Sequence, residues 1–121
     1  TGPSVSDVIN EYSEKKIGQK TLEELDQMLG DSISESRLLA AFALFKRLEL
    51  DESLDQRKKI ANMQNINQLT EIYDFREDFR PYIIKALYFL IGNGEELDLR
   101  ETVYGLFRER LSKSFSSFET M

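Results

Sequence analysis

The chain contains no cysteine, no histidine and no tryptophan. Without cysteine, disulfides and thiolate metal sites are excluded. Without histidine, the commonest general base and the commonest nitrogen ligand for metals are missing. No apolar run approaches the roughly 20 residues that a membrane-spanning helix requires. The longest, Tyr82 to Ile91, is half that length and is interrupted by Lys85. Basic charge is also in deficit, with 16 Lys and Arg against 22 Asp and Glu, a net charge of −6. Neutralising phosphates supplies much of a nucleic-acid binder's affinity, so nucleic acid is a disfavoured partner. An anionic membrane surface is disfavoured for the same reason. The opening residues, TGPSVSDVINEY, show no basic region followed by an apolar run, so a cytoplasmic location is expected.

What is present is helical periodicity along nearly the whole chain. Val5, Val8, Ile9 and Tyr12 fall on one helical stripe. Ser4 or Ser6 is placed to cap this first helix, and Gly18 to end it. Thr21 and Glu24 have capping-box spacing ahead of Leu22, Leu25, Met28 and Leu29, with Gly30 at the expected left-handed C-terminal position. Ser32 and Glu35 repeat that spacing ahead of Leu38, Leu39, Phe42, Phe45 and Leu48. A weaker helix follows around Leu54 to Met63, then a polar connection or helix start at 64–68, then a stripe of Ile66, Leu69, Ile72 and Tyr73. Asp78 is the expected N-cap of the apolar segment, Pro81 sits in its first turn, and Gly92 and Gly94 stop it. That segment is apolar on nearly every face, which predicts a central helix surrounded by others, with Lys85 reaching outward along its stem. The last helix is expected from Asp98, with Glu101 completing its first turn.

No segment alternates at period two. The expected fold is therefore all-α, a compact bundle of six to seven short helices in one domain over residues 1–121, with frayed ends near 1–3 and 116–121. An offset of 43 residues aligns 37–57 with 80–100, pairing Arg37 with Arg80, Ala43 with Ala86, Leu44 with Leu87, Leu54 with Leu97 and Asp55 with Asp98. The offset raises two stacked helix–turn–helix units of HEAT-like period as an alternative architecture.

Chemistry-bearing patterns are few. The acidic group Glu95, Glu96, Asp98 and Glu101 lacks the order of an EF-hand loop, and capping accounts for Asp98 and Glu101 without a metal. GNGEEL lacks the glycine and Gly-Lys-Ser/Thr pattern of a phosphate loop. No cofactor, no metal and no catalytic set is expected, so the chain is read as non-enzymatic. The expected function is a protein–protein interaction domain: an adaptor, a regulatory subunit or an inhibitor/immunity-type partner. Its acidity steers it toward a basic protein, and homo-oligomers are compatible with it. The alternative is a nucleic-acid module in which the last helix presents Arg100, Thr102, Tyr104 and Arg108 as a helix–turn–helix reader. Tyr104, Arg108 and Phe118 are the candidate partner-binding residues, Phe118 because it leaves the core stripes and aromatic residues anchor interfaces.

Overall fold

The computed structural model describes residues 2–47, 54–91 and 97–119, without the side chains of 54–56, 97, 111 and 113–119. The described residues contain seven α-helices and no strand, packed as a compact bundle. The helices are α1 (Val5–Glu14), α2 (Leu22–Leu29), α3 (Ser34–Arg47), α4 (Leu54–Ile60), α5 (Met63–Phe75), α6 (Arg80–Ile91) and α7 (Leu97–Glu119). Gly92 and Gly94, the expected stop of α6, lie outside the described residues.

Local chemistry sets the starts of α1, α2 and α5. The Ser4 hydroxyl accepts from the Asp7 N–H at 3.1 Å, while the Asp7 carboxylate accepts from the Ser4 N–H at 3.2 Å. Thr21 and Glu24 form the same reciprocal box at 3.2 and 3.1 Å. Each box satisfies two N–H groups that a helix start leaves without intrahelical partners. Asn62 caps α5 by accepting from the Asn65 N–H at 3.0 Å. The polar stretch 64–68 is therefore helical, and Met63 opens α5 instead of closing α4.

Several expected boundaries moved for identifiable reasons. Helix α1 ends at Glu14, not at Gly18, and Lys16 takes the left-handed turn at φ 53°. Gly18 serves a different purpose: a Cβ there would lie 2.6 Å from the Tyr12 hydroxyl oxygen, so the missing side chain is what lets Tyr12 lie down. Gly30 is right-handed at φ −87° and closes α2 by donating to the Asp26 and Gln27 carbonyls. Ser32 and Glu35 form no capping box. Asp31 accepts from the Ile33 N–H, α3 begins at Ser34, and Glu35 pairs with Lys15 of α1 at 3.5 Å. Asp78 gives both carboxylate oxygens to Arg76, and a 3-10 turn over Glu77–Phe79 leads into α6, with Pro81 in the first turn as expected.

Helix α3 is the centre of the bundle. Every residue from Leu38 to Leu44 is buried, and α3 packs on α1, α2, α5 and, most extensively, α6. Ala40, Ala41 and Ala43 are fully buried, so neighbouring helices approach closely there. Ala43 and Ala86, Leu44 and Leu87, and Ile60 and Val103, all related by the 43-residue offset, are buried. Phe79, Ile83, Leu87 and Phe89 are also sealed from water. Each such side chain contributes about 1.5–3 kcal/mol of burial. Phe42 touches Tyr12, Phe45 and Tyr82 with ring centroids 5.0–5.7 Å apart, knitting α1, α3 and α6 together.

Among the described residues two polar side chains are buried and both are used. The Asn65 amide donates to Asp26 of α2 at 2.6 Å and to the Ile60 carbonyl at the end of α4 at 2.8 Å. Arg47 donates to the Gly18 and Lys20 carbonyls, tying the end of α3 to the turn between α1 and α2. No described helix is long and apolar enough to cross a membrane.

Candidate protein interface on the last two helices

Helix α6 is not enclosed on every side. Ile83, Ala86, Leu87, Phe89, Leu90 and Ile91 are buried, but Ile84 and Tyr88 are 46% and 52% exposed. These two lie four residues apart, hence on one helical face. Lys85 is exposed as well, its ammonium 5.5 Å from the centre of the Phe45 ring of α3. Burying α6 against α3 and α5 therefore leaves an uncovered apolar strip.

Helix α7 borders that strip. Leu99 and Val103 turn toward the core, with Leu106 and Phe107 following. Phe107 meets the edge of Tyr73 at 5.5 Å, and Arg110 binds the Asp74 carboxylate through two bonds of 2.7 Å. Tyr73 and Asp74 lie at the end of α5, just before the turn into α6. At the other end Arg100 is within electrostatic reach of Tyr88. Helix α7 thus packs on α6 with its start toward the Tyr88 end, and Tyr104 lies one turn after Arg100.

Tyr104 is 44% exposed. Arg100 stacks over its ring at 5.9 Å and makes a long contact of 3.5 Å to its hydroxyl. That hydroxyl, with a smaller contribution from Tyr88, raises the Arg100 pKa, so the guanidinium stays charged throughout. Arg108 is exposed one turn beyond Tyr104, on the same helical face. Thr102 donates its hydroxyl to the Asp98 carbonyl within its own helix.

Tyr104 and Arg108 thus share one face of α7 with Arg100, and Ile84 and Tyr88 are exposed on α6, the helix on which α7 packs. The Phe118 side chain lies outside the described residues, as do Glu95 and Glu96. Among the described residues no group of three or more carboxylates is arranged to hold a metal ion. The two packed helices thus carry one exposed aliphatic residue, two exposed tyrosines and two arginines. Tyr and Arg are the residue types enriched where protein interfaces concentrate their binding energy.

Ile84 is not legible in the sequence, and Tyr88 only as an open question, because a run of apolar residues looks enclosed from every direction. The available signal was Lys85, the one charge in that run, which marks the open side. No protein-family model, no curated protein and no solved structure matches this chain.

Proposed function

We propose that this chain is a non-enzymatic protein-interaction domain, of adaptor or regulatory type, that docks a partner protein on the face formed by α6 and α7. One observation carries the reading: Ile84 and Tyr88 on α6 and Tyr104 on α7 are all solvent-exposed on two helices in contact, with Arg100 held against Tyr104 and within electrostatic reach of Tyr88. Burying this cluster under a partner releases apolar surface from water, while Arg100 and Arg108 offer charge-assisted hydrogen bonds at its edge.

Charge divides the labour between surfaces. Residues 1–36 hold eight carboxylates and three lysines, so that third of the chain carries most of the net negative charge. Helices α1 and α2 lie on the α3 side of the packing, whereas α7 rests on α6. A partner with a basic region is drawn toward α1 and α2 at long range. At contact, the α6–α7 face itself favours carboxylates opposite Arg100 and Arg108.

The test is quantitative capture of proteins on the immobilised chain from its source cells, comparing the wild type with the Tyr88→Ala, Tyr104→Ala double variant. The expected result is a partner retained by the wild type, lost by the folded double variant, and retained less well at high salt. Retention indifferent to both tyrosines contradicts the reading. A saturable, salt-sensitive titration with DNA or RNA favours the nucleic-acid alternative. A concentration-dependent dimer in light scattering, abolished by the same variant, identifies the occupant as a second copy of this chain.

A further inference from the structure

A second feature lies away from the α6–α7 face. The beginning of α3 and the end of α5 leave a cleft of about 400 Å³ between them. Leu38 and Ile72, both nearly buried, supply its apolar lining. Phe75, the last residue of α5, stands at it with 80% of its surface in solvent, more than any other large apolar side chain described. Nine residues separate Phe75 from the fully buried Ile66, which places them about half a turn apart around the helix. Phe75 thus contributes nothing to the core stripe that holds α5 in place.

The charges around this cleft are unequally satisfied. Arg76 is occupied: it binds Asp78 through two bonds, donates to the Pro3 carbonyl at 2.7 Å and covers the Phe79 ring. Arg37 is not matched in this way. Its guanidinium makes only two long bonds to neutral oxygens, 3.5 Å to Gln68 and 3.3 Å to Ser34, and its Nε–H has no acceptor. No described carboxylate pairs with it. A half-buried guanidinium held only by neutral partners gains most from a carboxylate, which it binds with two parallel bonds. Glu71, exposed on the α5 wall, repels a second carboxylate.

The geometry points to a peptide-docking cleft: it takes a partner segment with one large apolar side chain flanked on one side by a single Asp or Glu and on the other by a neutral or basic residue. The apolar side chain fills the space between Leu38, Ile72 and Phe75. The carboxylate pairs with Arg37, and the opposite flank faces Glu71. This cleft does not rest on the α6–α7 reading, and each survives the failure of the other.

The experiment is fluorescence anisotropy on the full chain with labelled octapeptides carrying a central Leu or Phe and Glu, Gln or Lys at each flanking position. Peptides with one flanking Glu are expected to bind about tenfold tighter than their Gln counterparts, the scale of one charge-assisted pair. Arg37→Gln erases that preference, and Arg37→Lys restores part of it. Glu71→Gln admits peptides with two glutamates, and Phe75→Ala weakens all binding. Tyr104→Ala changes none of it. Thermal melts of each variant separate lost binding from lost folding. The proposal is overturned by no binding of any peptide up to millimolar concentration, by equal binding of Glu and Gln peptides, or by a preference that survives Arg37→Gln.

Discussion

Single residues carry the clearest physical obligations. Asn65 is buried with both of its described amide bonds made across helix boundaries, to Asp26 and to the Ile60 carbonyl. Asn65→Leu leaves those two acceptors without their donor and is expected to cost about 1–3 kcal/mol, measured by urea unfolding. An unchanged midpoint would show that water replaces the amide at no cost. Lys16 is the opposite case, a non-glycine residue in the left-handed region. Lys16→Gly removes that steric penalty but loosens the unfolded chain, so the net change is expected to be a stabilisation of up to about 1 kcal/mol. Neither role was legible in the sequence. Nothing local distinguishes Asn65 from the four other polar residues around it, and Gly18 looked the better helix stop because the approach of Tyr12 is invisible in one dimension.

At the scale of helices, what is written within four residues was legible and what is written across the bundle was not. The Thr21 and Glu24 box formed as spaced, because its two bonds need only one turn of backbone. The Ser32 and Glu35 box did not form, because Glu35 found Lys15 twenty residues away. Arg76 on the Pro3 carbonyl and Arg110 on Asp74 are equally unreadable without the fold. The boxes and pairs have a pH signature. The Thr21 N–H and hydroxyl hold the Glu24 carboxyl below its usual range, and Arg76 does the same for Asp78. A carboxyl whose folded pKa is depressed binds fewer protons folded than unfolded, so stability rises with pH across that window. Its contribution is full above the unfolded value of about 4 and is lost as pH falls through the folded value. Urea midpoints are therefore expected to drop between pH 6 and pH 3, and by less in Glu24→Gln, whose box no longer titrates. An equal drop in that variant would place the acid sensitivity elsewhere.

For the whole molecule, the sequence made the all-α bundle legible but not which face it leaves uncovered. Helix α6 is apolar in nearly every direction, and the placement of α3, α4, α5 and α7 around it decides that Ile84 and Tyr88 stay outside. Those residues do not hold the bundle together. Tyr88→Ala with Tyr104→Ala should therefore leave the thermal midpoint nearly unchanged, within about 0.5 kcal/mol per site. Phe89→Ala, at a sealed core position of the same helix, should cost about 3–5 kcal/mol. The contrast separates side chains that hold the bundle together from those that do not. The most direct measurement is hydroxyl-radical footprinting of the chain alone and in complex with a captured partner. Docking on the α6–α7 face predicts that Tyr88 and Tyr104 are labelled in the free chain and protected together in the complex. Equal labelling of both tyrosines in the two states would contradict it.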